Sequence, residues 1–136
     1  MPESIKTVIG FDFGSHSIGV AVGQTLTQMA TPLEAIKNND WKRIEKLLNE
    51  WRPQHLVVGL PLNMEGAEQA MSARAHRFGR QLEGRFGIKT TLIDERLTTR
   101  EAYQMAIEAG RKKTKTEIDS LSALLITESW LRRCQD

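Results

Sequence analysis

Residues 6 to 22 read KTVIGFDFGSHSIGVAV. The first eight are rich in β-branched and aromatic residues, a short polar turn follows at Gly14 to Ser17, and a second apolar run begins at Ile18. Two β-prone runs joined by a short turn predict an antiparallel hairpin. We therefore expect the chain to open with two paired strands, to which the later elements are added.

The rest of the sequence alternates between strand and helix patterns. A third strand is predicted at Thr31 to Ile36, and a helix capped within Asn38 to Asp40 follows it, with Trp41, Ile44, Leu48 and Trp51 at helical spacing. The later predictions are a strand at 56–60, a helix at 67–85 closed by Gly87, a strand at 89–93, a helix from Thr98 to Gly110 and a helix at 116–133. This order, βββαβαβαα, predicts an α/β fold: a mixed five-stranded sheet, with a three-strand meander and then parallel strands, and helices on both faces.

The composition is that of an ordinary globular protein. The 136 residues, 40% of them hydrophobic, are enough for one core, so we expect a single domain over 1–136. Cys134 is the only cysteine, which excludes an internal disulfide and a cysteine zinc site. Because no run approaches a membrane span and the first residues do not resemble a signal peptide, we expect a cytoplasmic protein with no membrane contact.

The basic residues are concentrated in the middle of the chain. Between Arg74 and Lys115 there are 11 Lys and Arg against 5 Asp and Glu, although the whole chain has a net charge of only +2. Such a segment indicates an anionic partner such as nucleic acid. The alternative is that these side chains only solvate helix surfaces.

Asp12 is the strongest candidate for a functional residue, because a carboxylate within an apolar strand is costly to bury unless its charge is compensated. A metal ion would compensate it. Alternatively, Asp12 ends the strand by hydrogen bonding to the following turn. Gly10 and Gly14 share its face of the strand, and we expect them to leave open space for a ligand.

Two further acidic positions are candidates. Asp94 and Glu95 end a predicted strand and point to opposite faces, so only one of them can face Asp12. Asp119 lies in the first turn of the last predicted helix, where an acid is favoured by the helix dipole alone. Its neighbours Ser120, Ser122 and Ala123 are small, which would let that helix approach the sheet closely.

Four segments resemble the successive motifs of a known family. They are DFGS at 12–15, GLPLNMEG at 59–66, DERLTT at 94–99 and IDSLSA at 118–123. In this order and at this length, they are similar to those of the YqgF family, also called RuvX-type Holliday junction resolvases. The resemblance covers nearly the whole chain and implies a ribonuclease H-like fold. It also implies a nuclease that trims the 5′ end of the small-subunit (16S) ribosomal RNA precursor, or alternatively a Holliday junction resolvase.

The resemblance also implies the site residues. The acidic triad of the family maps onto Asp12, Glu95 and Asp119, as both catalytic residues and metal ligands. In more distant resolvases the second acid lies on the strand after the first helix, but the strand at 56–60 has no carboxylate, so Glu95 must replace it. Three carboxylates suit two Mg²⁺ or Mn²⁺ ions, which activate water and neutralise charge in phosphodiester hydrolysis.

Basic and amide side chains are predicted to bind the nucleic acid, either ribosomal RNA precursor or branched DNA. Arg74 and Arg77 lie on one stripe of a predicted helix, and Arg111-Lys112-Lys113 precedes Asp119. Asn63, in the loop from Pro61 to Gly66, and Arg96 complete the predicted set. The sequence leaves open whether the protein is a monomer or a homodimer.

Two other classes of function remain as alternatives. The segment from Asp12 to Ser17 also resembles the first phosphate motif of the actin and sugar-kinase fold. Those proteins close two such domains around a nucleotide, and 136 residues supply only one. The second alternative is a nuclease-like fold that only binds nucleic acid, as an assembly or transcription factor. Metal-dependent cleavage would distinguish an enzyme from such a factor.

Overall fold

The computed structural model describes residues 6–14, 16–60, 70–94 and 120–133, without the side chain of Asp94. Its first strands are β1 (Thr7–Phe13), β2 (Ser17–Gln24) and β3 (Met29–Lys37). β1 pairs antiparallel with β2, and β2 pairs antiparallel with β3. The backbone N–H of Gly14 donates to the carbonyl of Ser17 at 3.1 Å, which closes the first turn. The predicted hairpin and meander are confirmed.

Two parallel strands extend this meander. β4 (His55–Leu60) pairs with β1, and β5 (Thr90–Asp94) pairs with β4, both in parallel. The strand order across the sheet is β3-β2-β1-β4-β5. This is the predicted mixed five-stranded sheet, with β1 at its centre and the carboxyl ends of β1, β4 and β5 along one edge. We call this edge the carboxyl rim.

Local signals set the helix boundaries. The helix α1 (Trp41–Trp51) begins after Asp40, whose carboxylate accepts a hydrogen bond from the N–H of Arg43 at 3.2 Å. The helix α2 (Ala70–Phe86) ends at Gly87, whose φ of 67° is the left-handed conformation that glycine adopts without strain. The last described helix is α3 (Leu121–Arg133).

The helices cover both faces of the sheet, as predicted. α1 and α2 pack on one face, where Phe11, Ile44 and Leu82 are among the buried residues of the larger core. α3 packs on the other face, in a smaller cluster that includes Val57 and Ile126. Every even-numbered side chain of β1 faces α3 and every odd-numbered one faces α1 and α2, because successive strand residues alternate in direction.

One prediction about burial was wrong, and several others concern residues outside the described ranges. The helical spacing of Trp51 with Ile44 and Leu48 places it on the apolar face of α1, where a tryptophan is expected to be buried. The residue is 37% exposed, because it lies in the last turn of α1, at the end of the packed face. The predicted helix from Thr98 to Gly110, the loop at 61–66 and the residues 116–119 lie outside the described residues. Within the described ranges, no helix is long and apolar enough to cross a membrane.

His55 gives the fold a measurable pH dependence. Its ring stacks on Trp130 with centroids 4.5 Å apart, and its Nε2 lies 2.8 Å from the hydroxyl of Thr91. Burial, and then the nearby charge of Lys89, lower the pKa of His55. The unfolded chain therefore binds a proton at His55 near its ordinary pKa of about 6.5, where the folded chain does not.

We expect the free energy of unfolding to fall as pH drops through about 6.5 towards the lowered pKa of His55, since protons then favour the unfolded state. In His55→Gln, which keeps a polar group for Thr91, this slope should be shallower. His16→Gln, at an exposed position, is the control and should keep the slope of the parent. Urea unfolding at a series of pH values measures it, and equal slopes in the parent and His55→Gln would contradict the prediction.

Candidate active site

Asp12 lies on the central strand, next to the carboxyl rim. Its Cα partners are Gly19 in β2 and Gly59 in β4. One step further along β4, Leu60 pairs with Asp94, the last residue of β5. The carboxyl ends of three neighbouring parallel strands therefore meet beside Asp12, which is the edge where open α/β sheets place their ligands.

The carboxylate of Asp12 faces the α3 side of the sheet. Val8 and Gly10 precede it on the same face, and both contact α3 or its cluster. Gly19 and Gly59, on either side of Asp12, share this face and carry no side chains. Asp12 is half-buried, and no described residue forms a hydrogen bond or ion pair with its carboxylate. Among the described residues, none occupies the carboxylate oxygens of Asp12, so these atoms can bind a ligand.

The prediction that Gly10 and Gly14 leave open space was wrong. A Cβ built on Gly10 would overlap the Thr127 hydroxyl of α3, and one on Gly14 would lie 2.7 Å from the carbonyl oxygen of Ser17. Gly10 allows a helix to approach closely, and Gly14 allows a tight turn. The small residues that flank the carboxylate laterally are Gly19 and Gly59, which strand pairing reveals and the sequence did not.

Ser120 ties the start of α3 to the sheet next to Asp12. Its hydroxyl accepts from the N–H of Val20 at 3.0 Å and donates to the carbonyl of Leu33 at 2.6 Å. Val20 and Leu33 are Cα partners at a register shift in the β2–β3 ladder, where strands commonly bulge near functional sites. Ser120 thus bridges two backbone groups of the ladder, and its burial is complete.

The sequence distinguishes Ser120 only by its small size. Ser120 lies 100 positions from Val20 and 87 positions from Leu33 in the sequence, so no local pattern could reveal its bridge. The expected close approach of this helix is confirmed, since Ala123 is fully buried and its carbonyl oxygen lies 3.4 Å from a Cβ built on Gly10.

The structure describes three of the predicted site residues: Asp12, Arg74 and Arg77. The two arginines are exposed in the first half of α2, on the side of the sheet opposite to the carboxylate of Asp12. Seven predicted residues lie outside the described ranges: Asn63, Glu95, Arg96, Arg111, Lys112, Lys113 and Asp119. Among residues 6–14, 16–60, 70–94 and 120–133, no three His, Cys, Asp or Glu side chains form a metal-binding group.

Comparison with known proteins decides the family. A family model described as "RuvX: Holliday junction resolvase" matches residues 6–133. The chain belongs to this family. Similar RuvX-family proteins occur in Aeromonas salmonicida, 52% identical over 134 residues, and in Cronobacter sakazakii, 53% identical over 133 residues. These matches cover 94% and 93% of this chain and 96% of each relative.

Both relatives are named "Putative pre-16S rRNA nuclease". The family and these relatives together make the RuvX-family chain a nuclease, a hydrolase of phosphodiester bonds, and they confirm the resemblance found in its four motifs.

Solved structures confirm the fold. The fowlpox virus resolvase, in complex with Holliday junction DNA, matches with a TM-score of 0.62 at 11% identity, over 96% of this chain and 99% of that one. RuvC of Thermus thermophilus, with a Holliday junction substrate, matches with a TM-score of 0.57 at 17% identity, over 95% and 96%. At these identities the likeness concerns architecture, and the RuvX-family chain has the predicted ribonuclease H-like α/β fold.

Proposed function

We propose that this nuclease is metal-dependent and processes the precursor of 16S ribosomal RNA, with Asp12, Glu95 and Asp119 as its catalytic carboxylates. The observation that carries the proposal is the position of Asp12: a carboxylate without a described partner, between two glycines, at the carboxyl rim of the sheet. The relatives named for pre-16S rRNA are about half identical to this chain over nearly its whole length. The solved fowlpox virus resolvase and RuvC of Thermus thermophilus share only its fold.

The alternation of β5 supports Glu95 over Asp94. Ile93 is buried in the cluster that packs against α3, on the face that Asp12 shares. We propose that the alternation of side chains continues one residue beyond β5, which would direct Glu95 to the same face as Ile93. The proposal therefore assigns the second carboxylate to Glu95, as the family resemblance does.

The anchoring of Ser120 supports Asp119. Ser120 follows Asp119 in the sequence and is bonded to Val20, which lies beside Gly19, the Cα partner of Asp12. A helix that only needed an acid to complement its dipole would not require this fixed attachment to the sheet. We propose that the bridge of Ser120 serves to hold Asp119 towards Asp12.

The donor chemistry at Asp12 fits a hard divalent cation. Carboxylate oxygens are preferred ligands of Mg²⁺ and Mn²⁺, and the strand positions paired with Asp12, Gly19 and Gly59, carry no side chain that would compete for them. Asp12, Glu95 and Asp119 would hold two such ions, which when bound activate the attacking water and neutralise charge on the leaving oxygen.

We propose that basic and amide side chains bind the nucleic acid. We propose Arg74 and Arg77 as substrate contacts, which is supported by their exposure on α2 and by the position of Arg74 over Phe13, the last residue of β1. Asn63, Arg96 and the Arg111-Lys112-Lys113 segment are proposed as further contacts. Phosphate contacts of this kind give affinity that weakens with salt and depends little on sequence. The reaction is proposed to occur in the cytoplasm, in a single-domain protein that acts as a monomer or a homodimer.

A cleavage assay on two substrates tests the proposal. The purified chain with Mg²⁺ or Mn²⁺ should cut an end-labelled precursor 16S RNA and leave a four-way DNA junction intact, and a chelator should stop the reaction. Cleavage of the junction alone would assign the chain to recombination instead, as the name of its family model suggests. Binding of the RNA without cleavage under all metal conditions would make the chain an assembly factor.

A further inference from the structure

A surface groove of about 270 Å³ lies on the face of the sheet opposite to α3. Its floor is aromatic, since the rings of Phe13 and Trp41 pack against that of Phe78 at centroid distances of 5.1 Å and 5.7 Å. The other described residues that line it are polar: Asn39, Arg74, Arg77 and Gln81. The described lining thus combines an aromatic surface with two cations and two amides.

Among the described residues, the two arginines have no carboxylate partner. Both arginines are exposed, and the guanidinium of Arg74 lies over the ring of Phe13, 5.4 Å from its centroid. No described carboxylate pairs with either of them, since the ion pair found in the described residues joins Arg43 to Glu34. Among the described residues that line the groove there is no carboxylate either. Its charge therefore favours an anionic ligand.

The groove begins next to the candidate active site. Phe13 follows Asp12 in β1, and the two side chains point to opposite faces at the same rim of the sheet. Trp41 begins α1, which follows the end of β3 at that rim. A nucleic-acid strand that crosses the carboxyl rim at the end of β1 would therefore reach both the candidate active site and the groove.

We propose that this groove binds a single-stranded segment of the nucleic acid where it leaves the cleavage site, an inference that rests on the proposed nuclease function. Arg74 and Arg77 contact its phosphates, and one base packs against the aromatic floor. The amides of Asn39 and Gln81 each offer both a donor and an acceptor, which suits the polar edge of a base.

Two physical arguments favour a single strand over a duplex. The groove is slightly smaller than the roughly 300 Å³ at which pockets for drug-sized ligands begin, so it suits one nucleotide. The path from Asp12 to the groove also turns over the edge of the sheet within a few residues. A flexible single strand follows such a turn, whereas duplex DNA is stiff over about 150 base pairs.

The test measures binding by fluorescence anisotropy, with the full chain in a chelating buffer so that no metal-dependent cleavage occurs. The probes are an oligouridine of about 12 nucleotides, within the site sizes of single-strand binding domains, and a duplex of equal length. In Arg74→Gln/Arg77→Gln we expect affinity for the single strand to fall about tenfold and the slope of log affinity against log salt to flatten by about 1.4. Affinity for the duplex should change far less.

The matched control is Arg80→Gln/Arg132→Gln, which removes the same charge from exposed positions that do not line the groove. It should bind the oligouridine nearly as the parent does, and thermal melting should show both variants folded. Equal binding by the two double variants would overturn the groove proposal, as would an equal loss for duplex and single strand. In either case RNA cleavage by the parent with metal present would still support the nuclease function. A parent that binds neither probe would overturn the groove proposal alone, whereas a parent that cleaves no RNA would contradict the nuclease function on which it rests.

Discussion

Asp12→Asn should abolish metal-dependent cleavage, with a loss of at least about a hundredfold. Replacing groups that merely support metal ligands typically costs 10- to 100-fold, so removing the charge of a ligand should cost more. The side chain keeps its size in this variant, and no described residue forms a hydrogen bond or ion pair with the carboxylate that would be lost. The loss should therefore come from the site and not from unfolding.

The same variant should be at least as stable as the parent when metal is absent. Carboxylates gathered to bind a cation repel one another without it, and neutralising one relieves that repulsion. Added Mg²⁺ should raise the melting temperature of the parent more than that of Asp12→Asn, because a ligand stabilises only the state that binds it. Thermal melting with and without Mg²⁺ measures both effects.

Glu50→Gln is the control for the Asp12 variant. Glu50 is an exposed carboxylate near the end of α1, away from the carboxyl rim, and its loss should leave both cleavage and the response to Mg²⁺ unchanged. If Asp12→Asn cleaved RNA at the rate of the parent, the three-carboxylate proposal would lose its central residue.

Much of the fold was predictable because its signals are local. The turn at Gly14, the cap at Asp40 and the left-handed glycine at Gly87 each act on residues within a few positions. Strand and helix periods then fixed which faces are buried. The ribonuclease H-like order followed from these elements, since parallel strands joined by helices leave few arrangements.

The surroundings of the site were less predictable because they depend on residues that are distant in sequence. Asp12 was identified from its own apolar strand, but its flanking glycines, Gly19 and Gly59, are assigned only by strand pairing. The bridge of Ser120 and the aromatic floor at Phe13 and Trp41 likewise require the folded sheet. A sequence pattern can indicate a charged residue in a costly position, but not the groups that surround it.

Gly10→Ala should destabilise the fold by about 1–3 kcal/mol, the usual cost of overpacking a core. Its new Cβ would overlap the Thr127 hydroxyl and lie 3.1 Å from Thr127 Cβ. Thr127 cannot easily turn away, because its hydroxyl donates to the carbonyl of Ala123 at 2.6 Å and its methyl group already faces Gly23. The strain should therefore push α3 away from β1 and reduce cleavage as well as stability.

Two variants isolate this cause. Thr127→Ala in the Gly10→Ala background removes the overlapping hydroxyl and should restore part of the lost stability and cleavage, although each change alone is destabilising. Gly84→Ala, in α2 with nothing within 4 Å of its new Cβ, should instead stabilise the fold by up to about 1 kcal/mol through helix propensity. Urea unfolding and RNA cleavage of Gly10→Ala, Thr127→Ala, the double variant and Gly84→Ala measure these effects. If Gly10→Ala matched the parent in both, α3 would not need its close approach to the strand that carries Asp12.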